Sequence, residues 1–294
     1  MDYKIIFGIA ALVSAASWAL GDILWRKIGE ELTPISMNLT KVIIGSACLL
    51  LVLLVIGIEP VNMRDFLFLG ISGLIGIAVG DTFFFMSLMQ LGPRLSALMG
   101  TLAPVFITLS AVIFLGERPS FLTGMGILLT VSGVAWVLWE RLPQDKIIRN
   151  KSLGVKYSLL STVCVTVSVL LAKIGVKSIP TIQATSIRLL WAAIGLILLG
   201  CLNRQLKTWL APLKTPRLFK KISFVVLIVV FGGFWLSLLA LKYIDASIAS
   251  TLTSTTPLFI LPMVIIMLKE KISIRAVFGA AIAVIGVAFI FMAK

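Results

Sequence analysis

The sequence predicts an all-α integral membrane protein with ten transmembrane helices, arranged as two inverted five-helix repeats. Three observations predict this fold class: the composition, a succession of apolar runs, and a repeat within the chain. Of the 294 residues, 60% are hydrophobic and 13% are charged, whereas ordinary soluble domains have about 25% charged residues. Such a chain could not cover a water-facing surface, so a soluble protein is excluded. Runs such as 48–58 are apolar throughout, while the strands of a transmembrane barrel alternate in polarity.

Apolar runs bounded by charged residues or proline define the predicted spans in chain order. Each span needs about 20 residues to cross about 30 Å of hydrocarbon. The first run exceeds the apolar core of a signal peptide and has no clear cleavage site after it, so we interpret it as a span. Short links between most spans predict antiparallel neighbours. The predicted spans are 3–25, 34–57, 66–90, 95–115, 121–139, 153–176, 181–202, 220–241, 246–268 and 273–292.

The two halves of the chain match each other at a shift of 153 residues. Four identities outside the hydrophobic residue types carry this match: Pro104 with Pro257, Glu117 with Glu270, Gly126 with Gly279, and Gly133 with Gly286. We therefore predict two repeats, residues 1–140 and 153–294, joined by a loop at 141–152. Since each repeat has five crossings, an odd number, the second is inserted upside down relative to the first. Inverted repeats typically build carriers whose site lies near the midplane between the halves.

The excess of positive charge predicts an orientation. Lys and Arg number 26 against 12 Asp and Glu, which in a soluble protein would suggest nucleic-acid binding. In a multispanning protein the positive-inside rule explains the excess, so we expect no nucleic-acid partner. Of the basic residues, 17 lie in loops opposite the termini and 7 on the face of the termini. We expect the protein in the plasma (inner) membrane, and this count places the long loops on the cytoplasmic side and both termini on the outer side.

Several kinds of chemistry lack the residues they need. The chain has no His and only three Cys, without CxxC spacing, so we expect no metal site, disulfide framework or cofactor. The sequence also lacks a phosphate-binding loop, a dinucleotide-binding motif and a nucleophile–base arrangement. We therefore expect that the protein is not an enzyme and does not hydrolyse ATP by itself.

Four charged residues fall inside predicted spans: Asp22, Lys41, Asp81 and Arg188. A charge at the bilayer centre costs at least about 2.5–3.5 kcal/mol unless it faces a partner or water. One hypothesis is a polar cavity, shaped in part by Trp18, where Lys41 and Arg188 bind an anionic group and Asp22 or Asp81 binds an amine or proton. The alternative is mutual neutralisation, which would pair Asp22 with the arginine one turn later and Lys41 with Asp81. We favour the cavity for Asp81, Lys41 and Arg188, and the pair for Asp22.

The ninth span begins with a run of hydroxyl side chains that includes Ser250, Thr251 and Ser254, followed by Pro257. Proline cannot donate to the carbonyl four residues back, so Pro257 and Pro104 each leave one acceptor unpaired. Unpaired backbone at membrane depth is tolerated where it is buried in protein or lines a wet cavity. We therefore predict helix breaks at a solute site. The alternative is that the hydroxyls satisfy these carbonyls or join helices.

Each half carries a proline in its fourth span, then Leu-Gly-Glu-Arg (115–118) or Leu-Lys-Glu-Lys (268–271), then glycines in its fifth span. With ten spans in two halves, this pattern resembles the EamA family of the drug/metabolite transporter superfamily over nearly the whole chain. The resemblance implies a secondary carrier that works by alternating access and exports amino acids, related metabolites or toxic compounds. It also implies that both termini lie in the cytoplasm, contrary to the charge count.

We therefore predict a secondary active transporter that exports small polar metabolites such as amino acids, coupled to protons or another gradient. The mixed charges of Asp81, Lys41 and Arg188 fit a zwitterion better than a lipophilic cation. The alternatives are a carrier or flippase for lipid-linked or nucleotide-linked sugars, a membrane-embedded lipid-modifying enzyme, and a non-transporting subunit or sensor. The expected partners are a small-molecule solute and the lipid bilayer, and the sequence leaves a homodimer open.

Overall fold

A computed structural model describes residues 3–100, 102–139, 149–256, 258–260, 262–263 and 274–292. These residues are mostly helical, and no strand occurs among them. In chain order the main helices are α1 (Tyr3–Ile28), α2 (Pro34–Ile56), α3 (Met63–Gly92), α4 (Leu102–Leu115), α5 (Phe121–Trp139), α6 (Lys151–Gly175), α7 (Thr181–Leu202), α8 (Pro216–Tyr243), α9 (Ala246–Thr253) and α10 (Ile274–Met292).

The helices are those of a multi-pass membrane protein. Six of them, α1, α2, α3, α6, α7 and α8, are long and apolar enough to cross a membrane, while α4, α5 and α10 hold shorter apolar stretches. Large hydrophobic side chains such as Leu54, Val55, Phe114 and Leu202 are exposed on the outside of the bundle. Lipid rather than water suits such a surface.

Local sequence fixes where several helices begin and end. The side chains of Thr33, Asn62 and Asn150 each accept a hydrogen bond from the backbone N–H three residues later, and so cap α2, α3 and α6. Gly57 follows the end of α2 at φ 92°, and Gly116 follows α4 at φ 69°. Glycine adopts these positive angles without steric cost, so it suits both helix ends.

Most predicted spans match a helix, with three differences. Helix α8 begins at Pro216 rather than at 220, because proline is well placed in a first helical turn. The predicted loop at 203–219 contains a short helix, Leu206–Leu210, and a 3-10 turn, Ala211–Lys214. Helix α9 ends at Thr253, although residues 256, 258–260 and 262–263 are again helical, and Pro257, residue 261 and residues 264–273 lie outside the described residues. The count of ten spans and the division into two repeats therefore stay predictions.

Helices from before residue 140 pack against helices from after residue 149. Helix α1 packs on α8 and α3 packs on α6, while α2 packs on α7, α4 on α9 and α5 on α10. Helices α3 and α8 each contain a π-helical segment, Gly73–Gly80 and Ile228–Trp235. Segments of this kind are rare and often lie at functional sites. The contacts therefore join helices of the first part of the chain to helices of the second part.

Helices α5 and α10 approach each other closely at glycines. A Cβ atom on Gly126 would lie 2.8 Å from the carbonyl oxygen of Gly286, and one on Gly133 would lie 2.7 Å from the carbonyl oxygen of Gly279. Small residues allow such close backbone contact between membrane helices. The glycines identified at matching positions of the two halves are therefore packing residues.

At the centre of the α5–α10 crossing, two residues that the 153-residue shift relates to each other are in contact. Thr130 Oγ1 lies 3.5 Å from the carbonyl oxygen of Ala283, and these two residues are separated by 153 positions. This is the same shift that maps the glycines of α5 onto those of α10. Equivalent positions therefore meet each other at the centre of the crossing, as they would on a two-fold axis.

The crossing predicts different outcomes for two glycine substitutions on α5. Gly133→Ala should destabilise the protein by about 1–3 kcal/mol, because the new Cβ would lie 2.5 Å from the backbone nitrogen of Ala283. Gly124→Ala is the matched control, since a Cβ there would meet nothing within 4 Å. The control should be neutral or raise stability by up to about 1 kcal/mol through helix propensity. Thermal unfolding in detergent measures both, and equal melting temperatures would contradict the crossing.

Candidate functional site

A cavity of about 290 Å³ lies between the two halves of the chain. Residues of α1, α3 and α4 line it from the first half, and residues of α6, α7, α8 and α9 line it from the second. Its volume is close to the lower end of the range for small-molecule sites, about 300–1,000 Å³. The cavity therefore has room for a compact solute.

Much of the cavity wall is apolar. Trp18 and Phe234 meet edge to face, with ring centroids 4.7 Å apart and planes at 75°. Phe84, Val165 and Leu238 extend the apolar wall. The predicted place of Trp18 at the cavity therefore agrees with the structure. A solute here would exchange water for hydrophobic and aromatic surface over most of its length.

Asp22 faces the cavity from α1 and is 8% exposed. Among the described residues it has no hydrogen-bond or ion-pair partner. The alternative that pairs it with Arg26 is wrong. The Arg26 guanidinium donates instead to the carbonyl oxygens of Leu88 and Met89, at 3.4 and 3.2 Å. Those carbonyls lie near the end of α3, where the last turn of a helix lacks intrahelical donors.

Asp81 also lines the cavity and forms an ion pair with Lys41. Lys41 is 1% exposed, and its Nζ lies 5.1 Å from the ring centroids of both Phe85 and Phe234. The predicted place of Lys41 in the cavity wall is therefore wrong, because it lies behind Asp81 and not beside the cavity space. Its charge is compensated by the carboxylate and by two aromatic faces.

Arg188 faces the cavity from α7 and is 8% exposed. Its Nε donates to Ser72 Oγ at 3.0 Å and its Nη2 donates to Ser168 Oγ at 3.1 Å. Each serine hydroxyl in turn donates to the backbone carbonyl of the other serine, at 2.9 and 2.8 Å. This closed network fixes the guanidinium without neutralising it, and no carboxylate within 4 Å pairs with it among the described residues.

Ser72 and Ser168 are site residues that the sequence analysis missed. Both lie in apolar stretches of α3 and α6, where a lone serine is common and carries no signal. Their close approach depends on Gly76, since a Cβ there would lie 2.1 Å from Ser168 Oγ. The sequence did not indicate which side chains of these two helices would meet.

Lys41 and Arg188 lie at the same distance from the start of their helices. Each is the eighth residue of its helix, α2 and α7 respectively. Asp81 forms an ion pair with Lys41 and not with Arg188. The positive charge of Lys41 is therefore neutralised by a carboxylate, whereas that of Arg188 is not. In the described part of the wall this leaves one guanidinium and one carboxylate, that of Asp22, without a partner of opposite charge.

The hydroxyl side chains of α9 divide between the cavity and the protein interior. Ser250 and Ser254 line the cavity. Thr251 does not, which corrects the prediction for this residue. It is fully buried, and its hydroxyl donates to the carbonyl of Ser247 at 2.7 Å. A helical residue next to a cavity-facing one points about 100° away from it, which explains the difference.

One of the two predicted helix breaks lies at the cavity. Thr256 Oγ1 donates to the carbonyl oxygen of Thr253 at 2.8 Å, the acceptor that Pro257 cannot pair with. The alternative in which hydroxyls satisfy the freed carbonyl therefore holds here, although Thr253 and Thr256 also line the cavity. Pro104 is buried in α4, and its neighbour Ala103 lines the cavity.

Asn38 of α2 stabilises the π segment that carries the cavity residues of α3. It is fully buried and donates from Nδ2 to the carbonyl oxygens of Ile77 and Ala78, at 2.7 and 3.1 Å. It also donates to Thr82 Oγ1 at 2.9 Å. A buried carbonyl without a donor is costly, so this side chain supports the local shape that aims Asp81 at the cavity.

Buried polar contacts join the two halves at one end of the bundle. Glu117, in the link between α4 and α5, accepts hydrogen bonds from the backbone N–H of Ala246 at 2.5 Å and of Ser247 at 3.1 Å. It also accepts one from Ser247 Oγ at 2.7 Å. The carboxylate thus caps the start of α9, where unpaired N–H groups and the helix dipole favour negative charge.

Two further polar contacts, both partly buried, join the halves at the start of α3 and α7. Ser178 donates to the carboxylate of Asp65. Gln183 exchanges two hydrogen bonds with the backbone of Glu59, at 3.0 and 2.8 Å. At the other end of α2, by contrast, Glu31 and Lys221 form an ion pair at 3.3 Å in which both side chains are exposed. Exposed pairs contribute little, and at this end the backbone N–H of Arg149 also donates to the carbonyl oxygen of Gln90, at 2.9 Å.

Comparisons with known proteins agree on fold and family. The model of the EamA-like transporter family matches residues 6–139 and 152–292. The uncharacterized transporter YetK of Bacillus subtilis (strain 168) is 31% identical over 147 residues, which are 48% of this chain and 42% of that protein. The match thus spans less than half the length of that relative. One crystal structure of a protein aligns with 99% of this chain and 98% of its own, at a TM-score of 0.74 and 17% identity, and so shares the fold.

Proposed function

The chain belongs to the EamA-like transporter family, and on that premise we propose that it is a secondary carrier that exports small polar metabolites, amino acids foremost. Transport proceeds by alternating access and is coupled to a proton or other gradient. Membership confirms the resemblance found in the sequence and points to a membrane transporter rather than an enzyme.

The observation that carries the proposal is the pair of uncompensated charges in one cavity, Asp22 and Arg188. An amino acid offers a carboxylate to the Arg188 guanidinium, in the planar geometry that favours two parallel hydrogen bonds. Its ammonium group is a partner for Asp22. The bound zwitterion would therefore give each of these two charges a partner of opposite sign, which is the favourable state at membrane depth. A lipophilic cation would leave Arg188 unpaired, and a dianion would meet two carboxylates.

Asp81 is the residue that we assign to coupling. Its carboxylate faces the cavity on one side and Lys41 on the other. A proton that reaches Asp81 through the cavity removes the negative charge that holds Lys41. Because an unpaired buried ammonium is costly, protonation favours a rearrangement of α2 against α3. Proton binding and conformational change are thereby linked.

Two inverted repeats, residues 1–140 and 153–294, would provide the moving parts. The reciprocal α5–α10 crossing supports this arrangement, as do the paired π segments and the packing of each half on the other. Rocking of one repeat against the other around a central site is the expected mode of alternating access. The buried contacts of Glu117 with α9 then act as a closed gate at one end.

We place the carrier in the plasma (inner) membrane. The two orientations, termini outside by the charge count and cytoplasmic by family resemblance, both stay predictions, as does a homodimer.

Labelling of the exposed Cys201 in intact cells with a membrane-impermeant maleimide separates the orientations, because this residue lies at the end of α7 opposite to the termini.

Asp81→Asn should abolish gradient-driven amino-acid transport in proteoliposomes while solute exchange without a gradient persists. Glu31→Gln, which removes an exposed carboxylate away from the cavity, is the control and should transport normally. Should the single variant misfold because Lys41 is left unpaired, the double variant Lys41→Met with Asp81→Asn removes both buried charges together. Unchanged coupled transport in a folded variant that lacks the Asp81 carboxylate would refute the assignment.

Glu117→Gln should open the gate at the start of α9. The amide supplies one acceptor oxygen in place of a charged pair, and hydrogen bonds to charged groups are worth about 1.5–3 kcal/mol. We expect roughly tenfold faster maleimide labelling of a cysteine placed at Leu241, a cavity residue near this end, in a background without other cysteines. Arg118→Gln changes the exposed neighbour of Glu117 and should leave labelling unchanged. Equal rates in both variants would show that Glu117 holds no gate.

A further inference from the structure

The excess positive charge of the chain is confined to one stretch. Between Asp145 and Asp245 there is no Asp or Glu, and residues 146–244 hold 14 Lys and Arg. The remaining parts of the chain hold 12 basic and 12 acidic residues and so carry no net charge. Six of these 14 cations lie in or beside the connector between α7 and α8.

The connector is folded and fixed to the bundle. Trp209 is 4% exposed, and its Nε1 donates to Gln205 Oε1 at 3.1 Å. Leu206, Leu210 and Leu213 pack with Trp209 against the main hydrophobic core. The apolar side of the connector therefore packs inside the protein. Its polar side is held in a fixed position and faces outward.

Six cations form what we name the connector cation surface. They are all exposed, and they are Arg204, Lys207, Lys214, Arg217, Lys220 and Lys221. Lys221 is paired with Glu31, and the other five make no ion pair within the described part of the chain. So many like charges held together in a folded segment repel one another unless an anionic partner approaches.

The position of the connector cation surface indicates what that partner is. The cations lie where the spanning helices α7 and α8 end and begin, at Leu202 and Pro216, which is the level of lipid headgroups. Leu202 and Phe219 are exposed beside them. Apolar side chains next to cations suit a ligand with an anionic head and hydrocarbon chains, and they do not suit a soluble anion.

We propose that the connector cation surface binds the headgroups of anionic phospholipids, whose acyl chains lie against the exposed hydrophobic ends of α7 and α8. Clusters of four to eight Lys and Arg beside a transmembrane helix have the composition that anionic lipid binding requires. The long side chains reach the phosphate level while their stems stay on apolar surface. This binding does not depend on which solute the cavity takes, and it adds a lipid partner to the protein.

The test compares two triple variants that remove equal charge. Lys207→Gln, Lys214→Gln and Lys220→Gln together neutralise half of the connector cation surface, leaving its ion pair intact. Arg64→Gln, Arg118→Gln and Lys177→Gln together neutralise three exposed cations elsewhere. The full-length proteins are purified, checked for folding by thermal unfolding, and titrated with phosphatidylglycerol and phosphatidylcholine under native mass spectrometry.

We expect the wild-type protein and the control variant to prefer phosphatidylglycerol over phosphatidylcholine. The connector variant should bind phosphatidylglycerol at least about tenfold more weakly, and added salt should weaken the wild type more than this variant. Glycerol phosphate, the headgroup without acyl chains, should not compete. Equal affinity of the two triple variants for phosphatidylglycerol would overturn the proposal, as would effective competition by glycerol phosphate.

Discussion

A charged side chain at membrane depth is stable only beside a partner or water, and the centre of this protein is arranged around that requirement. Lys41 meets it through Asp81 and two aromatic rings. Arg188 meets it only in part, because two serine hydroxyls orient its guanidinium without cancelling the charge. Asp22 has no described partner and faces the cavity. In the proposed function, a solute of mixed charge would give Arg188 and Asp22 the partners that the protein does not supply.

The surrounding fold holds these groups in place by close backbone contact. Gly73 brings α3 so near to α7 that a Cβ atom would lie 2.1 Å from the carbonyl oxygen of Arg188. Asn38 then satisfies carbonyls of the π segment that follows. Because both the guanidinium and the Asp81 carboxylate depend on α3, a movement of this one helix alters both charges together. In the proposed mechanism, coupling between solute and proton would therefore need no long pathway through the protein.

Features that depend on composition and on the spacing of apolar residues could be predicted from the sequence. Features that depend on contacts between different helices could not. Apolar runs located the long helices, and the motif around Glu117 identified the family. Spacing along one helix suggested a partner for Asp22, yet Arg26 reaches the carbonyls at the end of α3 instead. The serines that orient Arg188 could not be predicted either, since only tertiary packing brings α3, α6 and α7 together at one point.

The central claim is that the cavity recognises a zwitterion through Arg188 and Asp22, and ligand charge tests it most directly. Binding of an amino acid is compared with that of its N-acetyl derivative, an anion, and its methyl ester, a cation, by calorimetry. The wild-type protein should bind the amino acid alone with appreciable affinity. Asp22→Asn should gain relative affinity for the anion, and Arg188→Gln for the cation. Similar affinity of the wild type for all three ligands, with no change in either variant, would contradict the account.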